Sequence, residues 1–222
     1  MVSDENTKYQ QYLALREKIL NCRKCDLWRN RTNAVPGEGD LNSIIMFIGE
    51  APGRQEDIEG RPFVGPAGKL LTSLLESIGL RRELVYITNV VKCRPPGNRD
   101  PKPIEISNCA PYLNAEIKII RPKLIVTLGR HSSSYIFSLA GMSISGISKI
   151  RGSLRKIRLF DFDVLVLPTY HPAAALYNPR LKDALQDDFK KIRNIVSQIS
   201  EGSKGLIRGT KGRQSSLDEF FN

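Results

Sequence analysis

The 222-residue sequence is poor in aromatic residues, at 7%, and has only two histidines, one tryptophan and four cysteines. Long apolar runs are missing as well. Ile44 to Ile48 and Val164 to Leu167 are strand-sized, far below the roughly 20 residues that span a bilayer, so no membrane span is expected. Met1-Val2-Ser3-Asp4-Glu5-Asn6 offers neither a basic start nor an apolar core, so no secretory signal is expected either. A cytoplasmic protein is expected. Its reducing surroundings make disulfides a poor use for four cysteines, and metal becomes the first expectation. Acidic residues are outnumbered, 23 Asp and Glu against 34 Lys and Arg, and the net charge of +11 favours a polyanionic partner. With 41% hydrophobic residues the chain is no disordered polymer, and its length suits one globular domain. No internal repeat is visible.

Hydrophobic periodicity divides the chain into alternating helices and strands. Tyr9, Tyr12, Leu13, Ile19 and Leu20 predict a first amphipathic helix over 7–20, with Cys22 and Cys25 at its end. Strands are expected at 44–48, ending on Gly49, and at 84–89, 124–129 and 164–168. A helix carrying Leu70, Leu71, Leu74, Leu75 and Ile78 lies between Pro66 and Gly79. Further helices are predicted over 103–120, from about 130, and over a long closing stretch marked by Leu185, Phe189, Ile192, Val196 and Ile199. Such alternation argues for a largely parallel sheet covered on both faces, with ligand loops at the strand carboxyl ends. Residues 201–213, with four Gly and four Lys or Arg, read as a flexible tail after a 1–200 domain.

Three segments follow directly on strands: Gly49-Glu50-Ala51-Pro52-Gly53, Asn89, and His171-Pro172-Ala173-Ala174. All three are expected to converge on one sheet edge. Taken with Arg54-Gln55-Glu56-Asp57 and Gly60-Arg61-Pro62-Phe63-Val64-Gly65, they resemble the family 4 uracil-DNA glycosylases in order and spacing over roughly residues 10 to 200. The resemblance implies a three-layer α/β/α fold around a four-stranded parallel sheet, and a monofunctional enzyme that flips uracil out of DNA and hydrolyses its glycosidic bond to start base excision repair.

The family roles suit the residues. Bond cleavage leaves negative charge on uracil O2, and His171 is the donor that resemblance assigns to it, as in an oxyanion hole. Asn89 would donate to O4 and accept from N3–H, a pattern that cytosine reverses. Phe63 matches the family's stacking residue, and the resemblance implies that Gly49, Ala51 and Gly53 line the substrate. Better-known uracil glycosylases carry Asp and Tyr where this chain has Ala51 and Gly53. Water positioning then falls to Glu50 and main-chain groups, with Glu56 helping to exclude thymine. As an alternative, both carboxylates would only bond loop amides. Leu176 and Tyr177 are candidate wedges for the vacated base stack, or else pack locally. His131, lacking a motif, reads as structural.

The cysteines are spaced Cys-x2-Cys, then 67 residues, then Cys-x15-Cys. Spacing alone does not separate zinc from iron and sulfur. The family resemblance favours a structural 4Fe-4S cluster on Cys22, Cys25, Cys93 and Cys109. At the end of the chain, Gln214, Leu217, Phe220 and Phe221 resemble the peptide by which repair proteins bind a ring-shaped DNA sliding clamp, a helical turn presenting apolar anchors. Uracil-containing DNA and the clamp are thus the expected partners of a monomer. The competing readings are a glycosylase of wider base range and a non-enzymatic iron-sulfur DNA-binding protein tethered to the clamp.

Overall fold

The computed structural model describes the backbone of residues 2–207 and the side chains of residues 6–201. Gln214, Leu217, Phe220 and Phe221 lie outside the described residues. In chain order the first half contains α1 (Val2–Leu20), β1 (Glu38–Gly39), β2 (Ile45–Gly49), α2 (Arg54–Glu59), α3 (Pro66–Ser77), β3 (Tyr86–Asn89) and α4 (Pro103–Ile120). The second half contains β4 (Leu124–Leu128), α5 (Arg130–Leu139), α6 (Ile147–Ile150), β5 (Arg155–Leu159), β6 (Phe162–Thr169), α7 (Pro172–Tyr177) and α8 (Arg180–Ile207).

Side chains alternate across a strand, so a strand that is apolar at every position must be covered on both faces. Met46 and Ile48 of β2, Ile125 of β4, and Val164 and Val166 of β6 enter one core, closed by α1, α4 and α5. Ile45 and Phe47, Leu124, Val126 and Leu128, and Leu165 and Leu167 enter the other, closed by α3 and α8. The result is the expected three-layer α/β/α arrangement.

Strand order is β1-β3-β2-β4-β6-β5. β3, β2, β4 and β6 are parallel and match the four expected strands. The sheet is wider than expected because antiparallel strands β1 and β5 extend its two edges. Neither edge strand announces itself. β1 has two residues, and in Arg155-Lys156-Ile157-Arg158-Leu159 only Ile157 and Leu159 are buried. α8 runs on to Ile207, into the stretch read as tail.

Local chemistry sets the ends that matter for the site. α3 starts with Pro66 at its first position after Gly65. It stops in a paired C-terminal bond pattern, in which the Gly79 N–H reaches Glu76 O and the Leu80 N–H reaches Leu75 O, both at 3.0 Å. Gly79 takes the left-handed conformation this requires, at φ +77°. Leu71 and Leu75 of α3 are fully buried, each worth about 2 kcal/mol of transfer free energy.

Candidate active site and cysteine centre

The chain leaves β2 toward β3 on one side and later returns to place β4 on the other, so strand order reverses at β2. A crevice opens outside the strand carboxyl ends at such a point. Here it is a cavity of about 600 Å³, and Glu50, Ala51, Gly53, Glu56, Phe63, Asn89, His171, Leu176 and Tyr177 all line it. Every pocket residue expected from the sequence except Gly49 is therefore in the wall, and Gly49 lies against it. Gly49 pairs with Asn89 across β2 and β3.

His171 caps the start of α7. Its Nδ1 accepts the Ala173 backbone N–H at 3.1 Å. An imidazole nitrogen that accepts carries no proton, so in the neutral ring the proton sits on Nε2. Burial pulls the His171 pKa down from 6.5 to about 4, against a smaller opposing effect of Glu56, and keeps the ring neutral near pH 7. The outcome is a fixed Nε2–H donor. Below it, Thr169 donates to the fully buried Asp188 at 2.7 Å, and Arg151 pairs with the same carboxylate at 3.0 Å.

Asn89 is buried, and its Oδ1 has no hydrogen-bond partner among the described residues. Leaving a buried amide oxygen unpaired costs about 1 to 3 kcal/mol, a penalty that a ligand N–H in the cavity would remove. Phe63 stacks on His171, with ring centroids 5.6 Å apart and planes at 29°. Its backbone is left-handed, at φ +53°, which is uncommon for a bulky residue. Arg82 grips this turn by donating to the carbonyls of Pro62 and Phe63, the latter at 3.0 Å.

The two pocket carboxylates differ. Glu56 accepts backbone N–H bonds from Gly53, Val64 and Gly65 at 3.1, 3.0 and 2.8 Å. It thereby builds the loop that carries Phe63, which is the loop-tying alternative raised by the sequence. Its Oε2 would also lie 2.8 Å from a Cβ on Gly53, so the carboxylate fills space that a larger side chain there would occupy. Glu50 makes no such loop bonds among the described residues. Burial raises its pKa, while His131 and Arg130 draw it down and Asp100 adds to the rise.

His131 was legible only as a lone histidine, yet it stands behind the site. Its Nε2 lies 3.7 Å from Glu50 Oε2 and 3.0 Å from Asp100 Oδ2. Asn98, Arg99 and Asp100 also line the cavity, contributed by the loop that follows Cys93. The polar Asn-Arg-Asp stretch carried no periodicity by which to single it out. Leu176 and Tyr177 stand at the rim, 47% and 90% exposed, so local packing does not account for Tyr177.

The four cysteines form a second centre. They line a small cavity together with Ile19, Val91 and Tyr112, and none is in a disulfide. Burial raises the pKa of Cys25, of Cys93, and of Cys109 up to about 12, so a positively charged centre is needed to hold them as thiolates. Two donors already face sulfur: Arg31 Nη1 toward Cys93 Sγ and the Lys92 backbone N–H toward Cys109 Sγ, both at 3.1 Å. Zn–S bonds of about 2.3 Å would bring tetrahedral sulfurs to about 3.8 Å from one another. Among the described residues the group of three metal-ligating side chains with ligand atoms within 4.8 Å of one another is Glu50, Asp100 and His131, so no three of the cysteine sulfurs stand that close together. Their number, chemistry and spread fit a larger iron-sulfur group.

Residues 36–196 match the family model described as the uracil DNA glycosylase superfamily, the class that this fold and crevice define. Similarity narrows further. The chain is 59% identical over 200 residues to the type-4 uracil-DNA glycosylase of Sulfurisphaera tokodaii, covering 90% of this chain and 91% of the relative. It is 56% identical over 182 residues to that of Saccharolobus solfataricus, covering 82% and 84%. For the Thermotoga maritima relative the figures are 45% over 188 residues, covering 82% and 93%. The chain belongs to the type-4 uracil-DNA glycosylase family.

Proposed function

We infer that the protein is a monofunctional uracil-DNA glycosylase that initiates base excision repair. The observation that carries this is one cavity holding a fixed His171 Nε2–H, an unpaired Asn89 Oδ1 and the Phe63 ring. A flipped uracil stacks on Phe63, a contact worth about 1 to 3 kcal/mol. Its N3–H donates to Asn89 Oδ1 and its O4 accepts from the Asn89 amide. Cytosine lacks the N3 proton and presents an amino group at position 4, so it meets like groups on both contacts. His171 Nε2–H donates to O2.

As the C1′–N1 bond breaks, its electron pair goes to N1 and the ring charge gathers on O2, where the histidine donor stabilises it. Water adds its oxygen to C1′ and gives a proton to Glu50. Abasic DNA and the uracil anion result, and the proton held by Glu50 passes through solvent to the anion, giving free uracil and restoring the carboxylate. The chain has no lysine in a recognisable nucleophile motif, so no strand scission follows. Glu56, filling the space beside Gly53, helps keep the thymine methyl out, and Leu176 and Tyr177 fill the gap left in the duplex. Extrusion of the base costs a few kcal/mol, and the net +11 charge favours binding to the phosphate backbone.

Cys22, Cys25, Cys93 and Cys109 hold a 4Fe-4S cluster in this reading. Glycosidic hydrolysis needs no electron transfer, so the group would supply structure, tying the end of α1 to α4 and to the loop after Cys93. Residues 1–200 form the catalytic domain of a cytoplasmic monomer. On its sequence alone, the 201–222 tail would tether it to a sliding clamp through Gln214, Leu217, Phe220 and Phe221. The convergence of Asn89, Phe63 and His171 speaks against a purely DNA-binding role.

The test is single-turnover excision from a uracil oligonucleotide. His171→Ala is expected to slow the chemical step by about 10² to 10³-fold with little change in DNA binding. Asn89→Asp is expected to weaken uracil selectivity. Parent rates in both variants contradict the assignment.

A further inference from the structure

Directly beneath the pocket lies a charged pair that the reaction does not touch. The side chains of Lys92 and Glu116 are 1% and 0% exposed. Lys92 Nζ donates to Glu116 Oε2, to Thr88 Oγ1 and to the main-chain carbonyl of Asn89, each at 2.6 Å. Its three N–H donors are thereby all used. Glu116 is equally committed, accepting the Gly37 N–H at 2.9 Å and the Thr88 hydroxyl at 2.7 Å.

Replacing a buried ion pair by apolar groups of similar volume is often neutral or stabilising, so folding stability gives a weak reason for this one. Its location gives a stronger reason. Thr88 and Asn89 are the last two residues of β3. Past them the chain turns away, with the Val90 N–H on Gly49 O and the Val91 N–H on Glu50 O. Lys92 folds back from the turn onto the carbonyl of Asn89. At its own backbone N–H it meets Cys109 Sγ. One residue thus links the cysteine centre to the amide in the pocket wall.

We propose that Lys92, held by Glu116, is a positioning residue for Asn89: it grips the Asn89 carbonyl at the strand end and so sets where the side-chain amide meets the edge of uracil. The inference rests on the assignment of Asn89 as the uracil-reading group, and its test separates the two.

The full-length protein is titrated with two oligonucleotides, one with an abasic site and one with 2′-fluorinated deoxyuridine, which resists cleavage. The ratio of the two affinities isolates recognition of the base from binding to the backbone. In Lys92→Met/Glu116→Gln the ratio is expected to fall about tenfold, the loss of one hydrogen bond to the base, while abasic DNA binds as in the parent. Asn89→Ala should lose at least as much. A purely structural pair would change melting temperature and leave the ratio alone. If the double variant fails to fold, Thr88→Val removes one partner of the ammonium and keeps the ion pair, and a drop of about threefold is then expected. A parent-like ratio in the folded pair variant, alongside a reduced one in Asn89→Ala, overturns the inference. A parent-like ratio in Asn89→Ala overturns the Asn89 assignment, and the inference with it.

Discussion

Asn89 and Gly49 approach so closely that a Cβ on Gly49 would stand 2.3 Å from Asn89 Oδ1 and 2.5 Å from the Phe63 ring. The missing side chain is what lets amide and ring share one wall. Gly49→Ala is expected to push both out of register and lower uracil excision by about 10²-fold, the penalty typical of a small misplacement in a preorganised site. Single-turnover rates check this, and a parent-like rate would show that the close approach is dispensable.

His171 gives stability a pH dependence of definite sign. Its pKa is about 4 in the folded protein against 6.5 when exposed, so below pH 6.5 the unfolded chain takes up a proton that the native chain refuses. Stability from this residue is intact above 6.5 and falls as pH drops toward 4, by about 3 kcal/mol in all. His171→Gln should lose less melting temperature than the parent between about pH 7 and about pH 5. Equal losses in the two proteins, measured by calorimetry, would place the imidazole in solvent.

In the proposed reaction Glu50 accepts a proton from water, which requires it to be ionised. Burial raises its pKa, His131 and Arg130 oppose the rise, and Asp100 reinforces it. Removing His131 withdraws the larger opposing influence, so His131→Ala should move the acid limb of the excision rate to higher pH, with DNA affinity near that of the parent. Glu50→Gln should remove that limb and slow the step by about 10²-fold or more. An acid limb that stays in place in His131→Ala would detach the histidine from Glu50.

The cysteine centre predicts a brown protein with about four irons per chain. Cys22 follows α1, Cys109 lies within α4, and the loop after Cys93 supplies Asn98 and Arg99 to the pocket wall. Cys109→Ser should therefore lower melting temperature and excision together. Colourless protein holding stoichiometric zinc, by metal analysis, would contradict the cluster.

Much of this was legible because it depends on local pattern. Continuous apolar runs marked the four parallel strands, and Pro66 and Gly79 marked the ends of α3. The segments after those strands carried Glu50, Asn89 and His171 to one edge by topology alone. What stayed hidden depends on contacts distant in sequence or on weak periodicity. β5 exposes three of its five residues, and β1 is too short to show a period. His131 acquires meaning only when β4 delivers it beside Glu50, and Lys92 reads as one lysine among many until Glu116, 24 positions away, meets it in the interior. The loop-tying bonds of Glu56 were conceivable from the sequence but needed the backbone of residues 53, 64 and 65 to be seen in place.

The most direct test is incubation of the purified protein, in chelator, with a labelled oligonucleotide containing one uracil, followed by alkali. Breakage at the uracil position alone, seen only after alkali and accompanied by free uracil, is the predicted result. An oligonucleotide that stays intact across pH and temperature would contradict the central claim that this pocket hydrolyses the uracil glycosidic bond.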